Sequence, residues 1–273
     1  MKVIIISRTD TASLNIFENL MELRDWNEKG TFLGNPLLFC EDYMIATIND
    51  EHIFHDDVDL ELKEVLGKKP DCIIYASRHR SESKKKSLTV HPIGNFGNAD
   101  FGGKPETLVP SSPHLMTQAM RVLREKARDL EYAVSFEATH HGPFLSSPTF
   151  FIEIGSQEDS WKDEKAGMAI AETILEIHDT DYPPAIGVGG GHYVPRITDV
   201  ALDRKVSFGH MVPTYALSYF SEEMAVKVLE LSENAKIAYF HIKHLRGGQY
   251  AKWKDIFSDI GCESKRTGDL EKL

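Results

Sequence analysis

The chain has 273 residues, of which 41% are hydrophobic and 27% are charged, and its formal net charge is -11. This length and composition are typical of a globular protein with a large core. The excess of acidic groups excludes a protein that binds nucleic acid through its whole surface, because phosphate binding requires Lys and Arg side chains.

Apolar runs and turn residues predict alternating strands and helices over the first half of the chain. Two short runs joined by residues 40–42 indicate a hairpin, so the sheet is expected to be mixed. The first helix should follow the capping residues 9–13. Its predicted buried face consists of Leu14, Phe17, Leu20, Met21 and Leu23. The predicted elements are strands at 3–6, 36–39, 43–48 and 72–76, a helix that ends near residue 24, and a helix at 59–66.

The second half of the chain shows the same alternation. A long Gly-rich stretch at 91–113 is typical of a lid or binding loop. It leads into a helix with Pro113 in its first turn. Residues 149–154 predict a strand of alternating exposure. The predicted elements are strands at 132–136, 149–154, 185–189, 206–208 and 237–241, the last being the final strand, and helices at 113–130, 159–178 and 221–231.

One short motif combines three residues of types that bind metals or transfer protons. Glu137, His140 and His141 directly follow the apolar run 132–136, before a Gly-Pro pair interrupts the pattern. A single histidine is ordinarily a surface residue or a satisfied core residue. Two adjacent histidines and a glutamate at the carboxyl end of a strand indicate instead a metal or acid–base site.

Several other predicted strands also end at or near a histidine. The carboxyl ends of parallel strands meet at one edge of a sheet, so these side chains are expected to gather there. They are His79, His91, His192, His210 and His241. The Gly-rich segment before His192 is not a dinucleotide fingerprint, because His192 occupies the third glycine position and Pro195 opposes the expected helix. We interpret its glycines as allowing the backbone to approach a ligand.

The one dense basic run of the chain lies in a Ser-rich segment at 77–87. Its Lys and Arg residues are Arg78, Arg80, Lys84, Lys85 and Lys86. A solvated loop is the usual interpretation of such a run. The alternative is a loop that contacts phosphates beside the site, because the run lies between the strands that lead to His79 and His91.

The cysteines and the hydrophobic pattern bear on cellular location. Cys40, Cys72 and Cys262 are odd in number and lack a C-x-x-C spacing, which argues against a disulfide framework and a thiolate zinc site. No apolar run reaches membrane-spanning length, and the first residues lead directly into a strand. A reduced, cytoplasmic setting without membrane insertion is therefore expected.

Four motifs extend the pattern along the chain: HPIGN at 91–95, EATHHGP at 137–143, GGGHYVPR at 189–196 and GH at 209–210. Taken together, over nearly the whole chain, they resemble the D-aminoacyl-tRNA deacylases of the archaeal and plant type. The resemblance implies hydrolysis of the ester between a D-amino acid and the 3′ end of tRNA in translation quality control, with zinc as the cofactor. It also implies an α/β fold with a mixed, largely parallel central sheet flanked by helices, similar to the phosphorylase/hydrolase group. We expect one α/β domain over residues 1–273.

The chemistry of ester hydrolysis is compatible with these residues. A zinc ion that activates water and polarises the carbonyl needs imidazole or carboxylate ligands. The candidate metal ligands are His140, His141, His192 and His210. Glu137 is a candidate ligand or general base, and His91 and His192 are candidate catalytic groups. The absence of a G-x-S-x-G motif makes a serine nucleophile the poorer mechanism.

Two alternatives from other classes remain open at the level of sequence. A metal-dependent peptidase or amidase would use the same histidines but would not need the basic run. A non-catalytic metal-binding or RNA-binding protein would bind its ligand without turnover. The resemblance implies a D-aminoacyl-tRNA as the substrate. No protein partner is indicated by the sequence.

Overall fold

Strands and helices alternate along the computed structural model, which describes residues 1–82 and 84–273. The strands are β1 (Lys2–Ser7), β2 (Asn27–Phe32), β3 (Asn35–Cys40), β4 (Tyr43–Ile48), β5 (Cys72–Arg80), β6 (Ser87–His91), β7 (Gly94–Asn95), β8 (Thr107–Leu108), β9 (Ala133–Phe136), β10 (Thr149–Ser156), β11 (Pro184–Val188), β12 (Ser207–Val212), β13 (Ile237–Phe240) and β14 (Glu263–Lys265). The α-helices are α1 (Thr11–Leu23), α2 (Val58–Leu66), α3 (Pro113–Lys126), α4 (Glu158–Trp161), α5 (Glu164–Glu176), α6 (Pro195–Asp203), α7 (Glu222–Glu230) and α8 (Gln249–Asp259).

Two sheets form the framework of the fold. The larger sheet has the strand order β2-β3-β4-β1-β5-β10-β6-β9, and its central strands β4, β1, β5 and β10 are parallel. The predicted hairpin is present as β3 and β4, which pair antiparallel. The smaller sheet has the order β12-β11-β13-β14 and is parallel throughout. The mixed, largely parallel α/β fold is thereby confirmed.

Helices cover both faces of the larger sheet. Helices α1, α3 and α5 cover the face that buries Ile4, and α2 covers the opposite face with Val58 against Val3. Helix α3 also contacts β12 of the smaller sheet. One apolar core therefore joins the two sheets, from Leu88 in β6 to Phe208 in β12.

Strand β5 is longer than predicted, and its last residues were wrongly expected to be a loop. It continues to Arg80 because it pairs with β10 as far as Ser156. Gly155 of β10 lies beside His79, and a Cβ atom on Gly155 would be 3.2 Å from the Cβ of His79. This glycine provides the space for the imidazole at the end of β5.

The buried face of α1 also differs from the prediction. Leu14 and Met21 are exposed, whereas Asn15 is buried between α1 and α5. The amide nitrogen of Asn15 donates a hydrogen bond to the carbonyl oxygen of Trp161 (2.9 Å). Gly167 in α5 permits this approach, because a Cβ atom there would be 2.2 Å from the Asn15 amide oxygen. A buried polar contact, which an apolar pattern does not reveal, thus sets the orientation of the helix.

Three further boundaries differ for local reasons. The predicted helix at 159–178 is divided into α4 and α5, and Asp163 caps α5 by accepting a hydrogen bond from the Lys165 amide (3.1 Å). Pro195 begins α6 and does not prevent it, because proline suits the first turn of a helix. Strand β14 follows the strand that was predicted to be the last.

Strand β10 is buried along its whole length and does not alternate in exposure as predicted. It lies between β5 and β6, and both of its faces are covered. None of the helices in the described part of the chain has the length and apolar character needed to cross a bilayer. Cys40, Cys72 and Cys262 are all free thiols.

Candidate active site

The central strand β10 places one carboxylate on a covered face of the larger sheet. Phe151, Glu153 and Gly155 share this face, because successive side chains of a strand point to opposite sides. His91 pairs with Phe151 from β6, and His79 pairs with Gly155 from β5. Both histidines therefore flank Glu153 diagonally, within reach of a long side chain. The site lies on this face of the sheet, next to the strand ends that the sequence indicated.

Glu153 connects the two histidines. Its Oε2 atom lies 3.4 Å from His91 Nε2 and 3.6 Å from His79 Nδ1. Burial raises the pKa of Glu153, but the contacts with His79 and His91 outweigh burial and hold this pKa far below its ordinary value. The buried carboxylate is therefore ionised at neutral pH.

Glu137 continues the same face from β9. Strands β6 and β9 pair in register as far as Phe136, so Glu137 comes next to the end of β6. Its Oε1 atom lies 3.3 Å from His79 Nδ1, and its Oε2 atom lies 3.1 Å from His192 Nε2 and 3.6 Å from His140 Nε2. Burial raises the pKa of Glu137, but the contact with His192 and the charges of His79 and His91 bring it below its ordinary value.

The carboxylate of Glu137 is fully buried, and neither of its oxygens has a hydrogen-bond partner in the described part of the chain. His91 Nε2 is also buried and accepts or donates no hydrogen bond within those residues. An unsatisfied buried polar atom costs about 1–3 kcal/mol, and more when it is charged. Such atoms facing one another indicate a place for a bound ligand.

Three neighbouring imidazoles each have a ring nitrogen close enough to those of the others to share one ligand. In His91, His140 and His141 the Nδ1 atom contacts a nearby backbone carbonyl oxygen, at 2.8 Å for His140 and 3.2 Å for His91. An Nδ1–H group that donates to a carbonyl leaves the lone pair on Nε2. One donor atom from each of the three residues lies within 4.8 Å of the others.

The protonation of these imidazoles also suits a metal. Burial and then the charges of His91, His141 and His192 lower the pKa of His140 well below its ordinary value. Burial and then His91 lower the pKa of His141 to about 4. Both rings are therefore neutral at pH 7, which is the form that binds metals. His91 differs, because contact with Glu153 outweighs burial and raises its pKa.

The segment with His192 is fixed against Glu137 by the backbone. Glu137 and Tyr193 form an antiparallel bridge, and the Ala138 amide donates to the carbonyl oxygen of His192 (2.8 Å). The hydroxyl group of Tyr193 contacts His79 Nε2 at 2.9 Å. Because Nε2 of His79 is thereby occupied, its Nδ1 atom faces the two glutamates.

The glycines before His192 serve the backbone and do not line a ligand. Gly189 and Gly190 have φ values of 99° and 107°, which side chains with a Cβ atom rarely adopt. A Cβ atom on Gly189 would also lie 3.0 Å from the carbonyl oxygen of His241. The close approach is thus to the end of β13.

Three overlapping groups of side chains could each hold a metal ion, with ligand atoms within 4.8 Å of one another. Imidazole and carboxylate are ligand types that suit zinc. The groups are His91 with His140 and His141, His79 with Glu137 and His192, and His91 with Glu137 and Glu153. They border a cavity of about 1030 Å³, which His79, His140, His141, Glu153 and His192 line.

His210 is not brought together with the other predicted ligands. Strand β12 continues to Val212, so His210 lies inside the strand and is fully buried. Its Nε2 atom contacts the carbonyl oxygen of Val109 (3.0 Å) and its Nδ1 atom contacts the hydroxyl of Thr139 (3.1 Å). Both ring nitrogens are satisfied by the protein, so the metal-ligand prediction is corrected for this residue. His241 likewise lies outside the three donor groups.

The basic run divides into two parts. Arg78 and Arg80 line the cavity, and the guanidinium of Arg78 pairs with Glu51 (3.0 Å). Lys84, Lys85 and Lys86 are exposed and lie outside the cavity lining. The structure therefore separates cations beside the site from cations on the surface.

Sequence reasoning missed Glu153 and Tyr193, and it placed His79 among the clustered histidines without assigning it a specific function. Glu153 had a recognisable signal, because it is the one charged residue within the apolar strand β10. A carboxylate buried in a central strand is costly unless it is paired. The contact between Tyr193 and His79 had no such signal, since it depends on the bridge between distant segments.

The chain is similar to known proteins both in sequence and in structure. A model of the D-aminoacyl-tRNA deacylase family matches residues 66–265. A D-aminoacyl-tRNA deacylase of Thermococcus onnurineus is 40% identical over 270 residues, covering 96% of this chain and 98% of the relative. One of Pyrococcus horikoshii is 39% identical over 271 residues, with the same coverage of both chains. A crystal structure of a conserved protein of unknown function has a TM-score of 0.91 at 34% identity, over 100% of this chain and 99% of that chain.

Proposed function

Because the chain belongs to the D-aminoacyl-tRNA deacylase family and is a hydrolase, we propose that it cleaves the ester between a D-amino acid and tRNA with water activated by zinc in the His–Glu cluster. The observation that supports the metal is the buried carboxylate of Glu137, whose two oxygens form no hydrogen bond with any described residue and face imidazole nitrogens. The reduced thiols and the tRNA substrate suit an enzyme that acts in the cytoplasm.

His91, His140 and His141 are the residues that would hold the zinc ion. Backbone carbonyl oxygens orient the three rings through Nδ1. His140 and His141 are neutral, and His91, whose pKa is raised because its contact with Glu153 outweighs burial, would give up its proton when the metal binds. Catalytic zinc sites typically have three protein ligands of this kind. When bound, zinc lowers the pKa of water to about 7 and polarises a carbonyl group.

Glu137 accepts the proton of the attacking water in this proposal. Its carboxylate is ionised, because neighbouring imidazoles keep its pKa low despite burial. His79 and His192 flank the two oxygens and hold the carboxylate in place. Tyr193 fixes the ring of His79 through its other nitrogen.

The bonds and protons balance as follows. As Glu137 takes a proton, the water oxygen forms a bond to the ester carbonyl carbon. The bond from that carbon to the ribose oxygen then breaks, and the proton passes from Glu137 to the departing oxygen. The products are a free D-amino acid and a tRNA with an intact 3′ hydroxyl group.

The basic run supplies contacts to the tRNA in this proposal. Arg78 and Arg80 line the cavity, where they can reach the phosphates nearest the ester. Lys84, Lys85 and Lys86 are exposed outside the cavity lining and would contact the tRNA backbone. Cationic side chains both in the cavity and outside it suit a long polyanionic substrate.

Hydrolysis of D-tyrosyl-tRNA and L-tyrosyl-tRNA, with and without a chelator, tests this function. We expect hydrolysis of the D ester, loss of activity on chelation and recovery with zinc. Metal analysis should show zinc in the wild type, loss in His140→Ala, and no loss in the matched control His178→Ala, whose side chain is exposed and outside the cluster.

The outcomes separate the parts of the proposal. Full activity of metal-free protein would remove zinc from the mechanism and leave the deacylase in place. Bound zinc without hydrolysis of any aminoacyl-tRNA would point to a non-catalytic metal protein. Cleavage of peptides or amides in place of the ester would identify a metallopeptidase.

A further inference from the structure

Four aromatic side chains are exposed in the part of the chain that the structure describes, and all four line the cavity. Their exposed fractions are 57% for Phe54, 67% for Phe101, 55% for Tyr215 and 65% for Tyr219. Aromatic rings dominate the apolar energetics of proteins and are normally buried to a large extent. Exposed rings confined to one cavity therefore indicate a partner that covers them.

The four rings belong to three separate segments that meet around the cavity. Phe54 ends the short 3₁₀ helix His52–Phe54, and Tyr215 and Tyr219 belong to or follow the 3₁₀ helix Thr214–Ser218. Phe101 lies in the Gly-rich segment between β7 and β8.

Two glycines of that segment fit it against the neighbouring rings. A Cβ atom on Gly102 would be 3.3 Å from the Phe54 ring, and one on Gly97 would be 3.7 Å from the Tyr219 ring. Because these glycines lack a side chain, the Gly-rich segment lies close to the rings of Phe54 and Tyr219. The four aromatic side chains therefore surround the opening of the same cavity.

Charge alone does not explain how a polyanion would bind here. Arg78 and Arg80 line the cavity, but Glu51, Glu82, Asp100 and Glu106 line it too, and Arg78 is paired with Glu51. The whole chain has a net charge of -11. The two arginines therefore supply only part of the affinity for the reactive end of a nucleic acid, and a further kind of contact is needed.

Stacking of bases on aromatic rings supplies such a contact. It contributes about 1–3 kcal/mol per base and does not depend on base identity. Unpaired bases can be recognised in this way because their faces are free. A cavity of about 1030 Å³ is also at the upper end of pocket sizes for small ligands, so it has room for more than an aminoacyl group.

Given the proposed function, we infer that Phe54, Phe101, Tyr215 and Tyr219 form a stacking platform for the unpaired 3′-terminal nucleotides of the tRNA substrate. The platform holds the terminal nucleosides at the mouth of the cavity, and the ester extends from them toward the histidines.

A single-stranded RNA that carries no amino acid and has 2-aminopurine at its 3′ end tests the platform directly. The fluorescence of this base falls when it stacks on an aromatic ring. We expect Phe101→Ala to weaken binding about 5- to 150-fold, which corresponds to the loss of one stacked base. Phe101→Tyr should retain binding and quenching, whereas Phe101→Leu should resemble the Ala variant. Val65→Ala, at an exposed apolar position outside the cavity lining, is the matched control and should bind as the wild type does.

The probe contains no ester, so the result is independent of catalysis. Failure of the proposed function would appear as no hydrolysis of any aminoacyl-tRNA by the wild type, whatever the stacking result. Unchanged binding in both Phe101→Ala and a Phe54→Ala/Tyr219→Ala double variant would overturn the platform. Equal binding by the Leu and Tyr variants would also overturn it, since stacking requires a ring.

Discussion

His210 and the histidines around Glu137 both contact the segment at 137–143, but they differ in how their ring nitrogens are satisfied. His210 is enclosed by protein, with Val109 on one nitrogen and Thr139 on the other. In the cluster around Glu137, both carboxylate oxygens and His91 Nε2 lack hydrogen-bond partners among the residues that the structure describes. Burial and residue type are shared by the two groups, so hydrogen-bond satisfaction is what separates a structural histidine from a ligand-binding one.

The energetic consequences of the two arrangements are opposite. Satisfied groups stabilise the fold by about 0.5–1.5 kcal/mol per hydrogen bond, whereas each unsatisfied buried atom costs about 1–3 kcal/mol. The cluster also includes His141 at φ 47°, a conformation that costs residues with a Cβ atom roughly 1–3 kcal/mol. The fold thus bears a cost at the cluster that a bound ion and substrate would offset. Substitutions should reveal this contrast as lost function in one group and lost stability in the other.

The largest effect is expected from Glu137→Gln. The amide keeps the shape of the side chain but cannot accept a proton from water, so turnover should fall about 10²- to 10⁴-fold. Single-turnover hydrolysis of D-tyrosyl-tRNA measures this loss, and the thermal unfolding midpoint should show that the fold is retained.

Zinc content and tRNA affinity are the controls for Glu137→Gln. Both should match the wild type if Glu137 is the base and His91, His140 and His141 are the ligands. Loss of zinc together with activity would place Glu137 in the metal coordination instead. Intact turnover with weakened binding would make it a positioning residue.

His210→Ala is expected to destabilise the fold and to leave the metal site intact, whereas Glu137→Gln retains the fold and loses turnover. It leaves the Val109 carbonyl and the Thr139 hydroxyl without a buried partner, and it opens a cavity in the core, so the free energy of unfolding should fall by about 2–4 kcal/mol. Zinc content should stay unchanged. Chemical denaturation and metal analysis of the same preparation provide the comparison with His140→Ala, which should lose zinc while metal-free stability changes little.

Sequence reasoning recovered the cluster and misassigned His210 for the same physical reason. The carboxyl ends of predicted strands marked the neighbourhood of Glu137, His140 and His141, because these follow an apolar run directly. The end of β12 was placed too early, at residue 208, although the strand continues to Val212. Apolar periodicity does not show where a strand ends when polar residues inside it are satisfied by other segments.

Register explains why Glu153 was missed. Its neighbours His91 and His79 come from two strands on either side of β10, and their alignment with Phe151 and Gly155 is fixed only by pairing. Sequence predicts that β10 exists. It does not predict which residues of β5 and β6 lie opposite, and therefore not which histidines meet the carboxylate.

The pH dependence of stability refines the comparison further. Burial lowers the pKa of His210 to about 4 from its ordinary 6.5. The unfolded chain therefore takes up a proton near pH 6.5 that the folded chain excludes until about pH 4. Stability from this residue is complete above pH 6.5 and is lost as pH falls toward 4, by at most about 1.4 kcal/mol per pH unit.

Denaturation of the wild type and His210→Ala between pH 7 and pH 4 isolates this contribution. The difference in unfolding free energy between the two proteins should shrink by up to about 3 kcal/mol across that interval. A constant difference would show that His210 is protonated in the folded protein and that its Nδ1 atom does not accept from Thr139.

The smallest expected effect is on tRNA binding by the cations of the basic run. These cations differ in whether an acidic side chain of the protein already pairs with them. Arg78 is paired with Glu51, and Lys86 lies 4.0 Å from Asp163. Among the residues that the structure describes, no acidic side chain lies within ion-pair distance of Lys84 or Lys85. Phosphate contacts are therefore expected from these two lysines before the paired cations.

Replacing both Lys84 and Lys85 with Ala should weaken tRNA binding several-fold at physiological salt and reduce the slope of log K against log salt by about 1.5–2 units. Lys86→Ala should change the slope less, because its ammonium group already has an acidic neighbour. Hydrolysis of a D-aminoacyl-adenosine ester, which lacks the tRNA body, should be unchanged in both variants. An equal loss on this small ester would mean that the run shapes the site, and an unchanged slope with tRNA would identify a solvated loop.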